Sequence, residues 1–410
     1  MMFFFRCPSA PAADNLTLGG VALPRDVETL HFLLAGTTGA GKTTAIEELL
    51  NGVTARSDRV IVCDPNGGYL SQFARNGDRL LNPFDTRAER WSLFNEFRRD
   101  YDAERLARSV VPDAHGDSAS WHGYAQTLLA ELLRALVRNG ETSTERLLHW
   151  SSIAAPAELA RLLAGTPAAG LFDPDAAKAL ASTRFVLASH LAPQRHVPPG
   201  EFSVRHWLEH GSGALYLTWR ADMQSALAPL FATWVDIAVN AVLTLPPNRE
   251  RRIWLVIDEL AALGKLNSLE AALTLGRKHG LCVVAGLQST AQLDRLYGRD
   301  SAIVLRSCFR NLLVLGIAKS DPDTCDVLSR ALGEREVRRV EENRTQGGQG
   351  TSRSVSARHE VGRVVLPSEI AVLPNLRGYL ALAGNAPITP ITLTPRTRER
   401  VVDCYTEDTL

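Results

Sequence analysis

The chain has 410 residues, with 45 basic side chains, 45 acidic side chains and 45% hydrophobic residues. Such a length holds two or three packed cores. The balanced charge excludes a uniformly basic binder, so any contact with nucleic acid must come from local patches.

The opening Met1-Met2-Phe3-Phe4-Phe5-Arg6-Cys7 is far shorter than a membrane span and lacks the charge order of a signal peptide. Leu30 to Ala35 (LHFLLA) is an apolar run that suits a buried strand. Gly36-Thr37-Thr38-Gly39-Ala40-Gly41-Lys42-Thr43 then reads G-x-x-x-x-G-K-T, and Thr44 to Leu50 suits a helix. Strand, loop and helix in that order make a P-loop. Its glycines let backbone N–H groups turn inward around a triphosphate. Lys42 reaches the β and γ phosphates, the Thr43 hydroxyl sits on Mg2+, and the helix N-terminus adds its dipole. Residues 36–44, Thr44 included, are the candidate nucleotide-binding set.

Arg59 to Pro65 (RVIVCDP) is a second buried strand with a polar exit, followed by an Asn66-Gly67-Gly68 turn. Leu81 to Asp85 is a short extended piece. From Phe97 to Leu191 the pattern turns helical. Ala125 to Arg138 has apolar residues at helical spacing, and Ser143 to Arg146, Glu158 to Leu163 and Asp175 to Leu191 continue it. This reads as an all-α module inserted into a strand–helix domain. Strands resume at Ala214 to Thr218, Ile253 to Ile257, Leu281 to Gly286 and Leu312 to Leu315. Met223 to Leu243 is a long apolar helix whose Asp236 argues against a membrane span. Continuous apolar strands alternating with helices predict a mainly parallel sheet covered on both faces. Asn343 to Arg358, rich in Gly, Ser and Arg, is expected to be a mobile loop. Tyr379 to Ala383 is a strand of the tail.

The expected fold is thus α/β, a P-loop domain in two parts. Residues 1–96 hold the P-loop, 97–195 the inserted all-α domain, and 196–410 the second part.

The chemistry gathers in that second part. The strand Ile253–Ile257 ends in Asp258-Glu259, the acidic half of a nucleotide hydrolase: Asp258 holds Mg2+ through water, and Glu259 accepts a proton from the attacking water. Gln288 follows the next strand and can touch the γ-phosphate or position water, as in hydrolases with an extra strand between P-loop and acidic strands; the other reading is a polar helix cap. Arg277 lies on the outer flank of the helix that buries Leu269 and Leu273; periodicity alone favours a solvated helix charge, and the other reading is a finger that reaches a neighbouring subunit's γ-phosphate. The cysteines (Cys7, Cys63, Cys282, Cys308, Cys325, Cys404) form no C-x-x-C pair and read as buried, reduced thiols of a cytoplasmic protein. His206 and His210, four apart, read as a surface helix turn with no zinc site.

GTTGAGKT, VIVCDPNGGYL and WLVIDELAALGKLNSLEAALTLGRKHGLCVVAGLQSTAQLDRLYG together resemble the TrwB/TraD-type coupling proteins of bacterial conjugation. The match is nearest the TrwB branch. It continues through LNPFD, WSLFNEFRRDYD, ALASTRFVLASHL, YLTWRADM and NLRGYLALAGNAPI, so it covers nearly the whole chain. The resemblance implies a RecA-like nucleotide-binding domain interrupted by an all-α domain, assembled as a homo-hexameric ring. It implies ATP hydrolysis with Mg2+, binding of single-stranded DNA with little sequence preference, and coupling of a relaxase-bound strand to the proteins of a type IV secretion channel. It assigns Lys42 and Thr43 to the nucleotide, Asp258 and Glu259 to the acidic pair, Gln288 to a sensor and Arg277 to an arginine finger. It places the protein at the cytoplasmic face of the bacterial inner membrane. Family members carry transmembrane helices ahead of the nucleotide domain. Here the P-loop strand begins at Leu30, no membrane span is found, and the chain reads as soluble.

Two other readings are a double-stranded DNA translocase of the chromosome-segregation type and a non-motor recruitment module of the secretion system. The embedded helical module argues against the first. Intact Lys42, Asp258 and Glu259 argue against the second.

Overall fold

A computed structural model describes residues 15–114, 116–347 and 350–407. Met1 to Cys7, with the Cys7 thiol, lie outside the described residues. Nine strands form one sheet in the order β13-β12-β9-β3-β8-β7-β4-β6-β5. They are β3 (Phe32–Ala35), β4 (Arg59–Pro65), β5 (Arg79–Leu81), β6 (Ala214–Trp219), β7 (Ile253–Ile257), β8 (Leu281–Leu287), β9 (Asn311–Val314), β12 (Arg377–Ala381) and β13 (Thr389–Thr392). The run from β9 to β5 is parallel; β12 and β13 join antiparallel at one edge. Every residue of β3, β6, β7 and β8 is buried, as continuous apolar strands require when helices cover both faces.

One face packs on the P-loop helix Lys42–Ala55, through Ala45, Ile46, Leu49, Leu50 and Val53. A small hairpin of β1 (Leu16–Leu18) and β2 (Val21–Leu23) closes over that helix, with Leu16 and Leu18 in the same apolar cluster.

The other face packs on the helix Gln224–Thr244 and on the segment between β5 and β6. Among the described residues of 97–195 there are helices and turns but no strand; the longest helix is Ala119–Asn139. Its Leu128, Leu129, Leu132, Leu133 and Leu136 are buried in the same cluster as Ile61, Leu215, Trp234 and Leu255. The two ends of this segment are clamped together. Glu96 is fully buried and accepts from Trp91 Nε1 (2.9 Å), Ser203 Oγ (3.0 Å), Val204 N (2.7 Å) and Arg205 N (3.1 Å).

Gln224–Thr244 has the length and composition of a membrane span, but two-thirds of its most apolar window is buried in the protein. Asp236 within it is 2% exposed and accepts from Ser268 N (3.0 Å) and Asn267 N (3.2 Å). It is a core helix with a buried polar anchor.

The expectation of a loop over 343–358 is corrected. β10 (Glu334–Gly347) and β11 (Gly350–Arg363) pair antiparallel in register Glu334↔Arg363 to Gly347↔Gly350. The Gly-Ser-Arg composition hid the ladder, although Val337, Val340, Thr345, Thr351 and Val355 suit strands. Of the described cysteines, Cys63, Cys282 and Cys325 are buried, Cys308 and Cys404 are half-buried, and all five are free thiols.

Candidate nucleotide site

The P-loop leaves the C-terminal end of β3 and is tied on both sides. Gly36 N donates to Leu287 O on β8 (3.0 Å), and Thr37 N donates to Gly316 O after β9 (2.9 Å). Gly39 and Gly41 hold φ of 79° and 122°, in the region L side chains avoid. Gly36 packs against Leu315 from behind. Ala40 is buried, and its carbonyl accepts from Leu376 N (2.9 Å). These two support the loop. Thr37, Thr38, Gly39, Gly41, Lys42, Thr43 and Thr44 line a cavity of about 260 Å3.

Asp258, Glu259 and Gln288 line the same cavity. β8 stands between β3 and β7, so the extra strand inferred from sequence is present. Its fit against β7 depends on Gly286, where a Cβ would lie 1.7 Å from Asp258 O. Gln288 is not its helix's cap; Ser289 takes that role for Thr290–Tyr297 together with Gln292. The Gln288 amide is left to face the site. Its Nε2 donates to Glu259 Oε2 (2.6 Å), and its Oε1 accepts from Thr38 Oγ1 (3.4 Å).

Lys42, 8% exposed, donates to the carbonyls of Gly36 (2.6 Å) and Thr37 (3.3 Å). Burial lowers its proton affinity, and Glu259 and Asp258 oppose that. Burial raises the proton affinity of Asp258, opposed by Lys42 and Tyr69. Burial also raises that of Glu259, opposed by the Gln288 bond and Lys42. Glu259 Oε1 is buried without a partner. A cationic lysine, a half-buried carboxylate with one free oxygen, and an exposed Thr43 beside Asp258 fit a nucleotide triphosphate with a divalent cation.

Arg277 lies elsewhere. It sits in the single turn Gly276–His279 that precedes β8, exposed, in a cleft of about 640 Å3 that also holds Arg25, Arg249, Arg252 and Lys278. Arg277 is therefore at the N-terminal edge of the sheet, while Gln288 and the P-loop lie at the C-terminal edge. The seven residues of β8 separate them by roughly 20 Å at strand rise.

Three residues at or behind the site were not singled out from sequence. Leu376 lines the cavity at φ 67° and carries no local signal. Asp64, buried near the end of β4, was read only as part of a polar strand exit, and Tyr69, buried in the helix Gly68–Phe73, follows the stretch read as a turn. The His206–His210 pair gains a third group, Glu209, with ligand atoms all within 4.8 Å. That carboxylate is already engaged by Arg98 (2.6 Å) and Arg205 (3.2 Å).

The sheet order, the P-loop on β3 and the acidic pair on β7 define a RecA-like P-loop nucleotide-binding fold. The chain belongs to a family within that class, described as the type IV secretion-system coupling protein DNA-binding domain, which matches residues 15–394. Coupling protein TraD of Escherichia coli K12 is 29% identical over 407 residues, covering 95% of this chain and 56% of TraD. The chain thus spans about half the length of that curated relative. The unbound bacterial conjugative coupling protein TrwBdeltaN70 aligns with a TM-score of 0.90 and 45% identity, covering 96% of this chain and 92% of that one. Plasmid coupling protein TrwB in complex with ADP and Mg2+ aligns equally well, with a TM-score of 0.90, 44% identity and coverage of 97% and 93%.

Proposed function

We propose that this chain is an ATP-hydrolysing motor that couples relaxase-bound DNA to a type IV secretion channel in bacterial conjugation. ATP with Mg2+ occupies the cavity at the P-loop. Residues 97–195 act as an inserted all-α domain within the nucleotide-binding domain. The DNA is single-stranded and held through its phosphates with little sequence preference. The protein works at the cytoplasmic face of the inner membrane.

The residues divide the chemistry. The backbone of residues 36–44 cradles the phosphates, and Lys42 exchanges its two loop carbonyls for β and γ oxygens. Thr43 and Asp258 would hold magnesium, which would supply charge neutralisation on those oxygens. Glu259 takes the proton of the attacking water. Its unpartnered Oε1 is the acceptor, and burial makes it a better base. Gln288 fixes the other oxygen of Glu259 and senses the γ-phosphate through the Thr38 side of the cavity.

One observation carries the ring: Arg277, the candidate finger, lies at the sheet edge opposite its own P-loop. Among the described residues no arginine lines the chain's own cavity, and a neighbour's Arg277 supplies one to the transition state. A homo-hexamer closes such head-to-tail contacts. Mixing inactive subunits tests this. Arg277→Ala and Glu259→Gln should each abolish hydrolysis while still binding nucleotide. Mixed rings should regain part of the parent rate, because some interfaces then pair an intact Glu259 with an intact Arg277. Mixtures that stay inactive would contradict the shared site.

A further inference from the structure

Two buried side chains behind the acidic pair have no role in the scheme above. β4 runs parallel to β7 with Cys63 opposite Ile257, which brings Asp64 beside Asp258 on the neighbouring strand. Val60 and Val62 of β4, and Trp254 and Val256 of β7, pack in the cluster on the P-loop helix side. Alternation turns Asp64 and Asp258 to that same side. Asp64 is fully buried. Its Oδ2 accepts from Leu70 N (2.7 Å); the backbone N–H groups of Tyr69 and Gly68 also face the carboxylate, but its Oδ1 makes no hydrogen bond of normal geometry. Tyr69, 3% exposed, starts the next helix, Gly68–Phe73. Its hydroxyl lies beside Thr43 and Asp258 yet makes no hydrogen bond of normal geometry.

An unpaired buried polar atom is destabilising. Here two of them, on different elements, converge on the residues assigned to magnesium. Mg2+ dehydrates reluctantly, keeps several waters, and is held through one or two carboxylates and the phosphates. Its bound waters are strong donors, which suits a carboxylate oxygen with an unengaged lone pair. A phenol beside a carboxylate fixes that group's orientation by donating to it.

We propose that Asp64 and Tyr69 are positioning residues of the magnesium site: Asp64 Oδ1 accepts from the cation's water shell, and the Tyr69 hydroxyl donates to Asp258 and orients it against Thr43. This rests on the assignment of Thr43 and Asp258 to the metal. Neither residue touches the phosphates, so nucleotide affinity without the cation is independent of them.

The test titrates MgCl2 into the full chain bound to a fluorescent ADP, and repeats the nucleotide affinity in EDTA. The variants are Tyr69→Phe, which removes one oxygen, and Asp64→Asn, which keeps the shape and the cap on Leu70. Each should leave the EDTA affinity within two-fold of the parent and raise the half-saturating magnesium concentration roughly ten-fold. Magnesium curves that superimpose on the parent's would overturn the proposal. So would a loss of affinity that is equal with and without magnesium, because it marks a structural role. A parent with no magnesium dependence at all would overturn the assignment of Thr43 and Asp258, and this proposal with it.

Discussion

His31 makes a pH-dependent prediction that can be worked through from geometry. It stands immediately before β3, 1% exposed, at φ 59°. Val283 N donates to its Nδ1 (3.2 Å), so the ring proton is on Nε2, which donates to Leu273 O (3.0 Å). Both nitrogens are used in the neutral form, and a second proton would break the Val283 bond. Burial, aided by the Arg277 charge, lowers its pKa from 6.5 to about 4, against the Leu273 bond. The folded value lies below the unfolded one, so the unfolded chain takes the proton first as pH falls. His31's contribution is whole above pH 6.5 and is lost between 6.5 and about 4. One pH unit corresponds to about 1.4 kcal/mol. The loss at pH 5.5 is then about 1.4 kcal/mol, and roughly 3 kcal/mol below pH 4.

Other groups titrate in the same range. Burial raises Asp64 and Asp236 to about 7, so their buried charges destabilise the fold above that pH and the penalty eases as pH falls. His190, lowered to about 4 by burial and by His122, acts with His31. A difference measurement removes them. Asn tolerates the left-handed backbone, so His31→Asn is the partner variant. Urea unfolding at pH 7.5 and 5.5 should show the gap in stability between parent and variant shrinking by about 1.4 kcal/mol. A gap that stays constant within about 0.3 kcal/mol would refute the neutral, doubly bonded His31.

Three further outcomes follow from single contacts. Gly286→Ala puts a Cβ against the Asp258 carbonyl, which no rotamer relieves; it should destabilise by about 1–3 kcal/mol and weaken nucleotide binding, read by thermal unfolding and a fluorescent-nucleotide titration. Glu96→Ala strands the Trp91 indole N–H and two backbone N–H groups at the base of the helical segment. It should lower the unfolding free energy by at least about 2 kcal/mol, checked in urea. Lys42→Ala removes the cation behind Gly36 and Thr37 and should weaken nucleotide affinity itself; equal affinity in a titration would sink the phosphate-cradle assignment.

The sheet was legible because its strands are unbroken apolar runs. Phe32–Ala35, Ile253–Ile257 and Leu281–Leu287 each end in residues of opposite character, and those polar ends form the site. An extra strand between the P-loop strand and the acidic strand was the expectation attached to Gln288, and β8 does stand between β3 and β7. Periodicity placed Arg277 on an outer flank, but its distance from its own P-loop needed the direction of β8. Composition misled at 334–363, where glycine and serine masked a long antiparallel pairing. Asp64 was passed over because a carboxylate at a strand exit is common. Only the register with β7 shows that it sits beside Asp258, fully buried. Leu376 could not be found, because it reaches the P-loop through a bond to Ala40 across more than three hundred residues.

The shared-site motor is tested most directly by ATP hydrolysis of the purified chain against protein concentration, with and without single-stranded DNA. The account predicts a rate per subunit that rises with concentration and rises further with DNA, as assembly brings Arg277 to a neighbour's nucleotide. A rate per subunit that is flat with concentration and indifferent to DNA would contradict it.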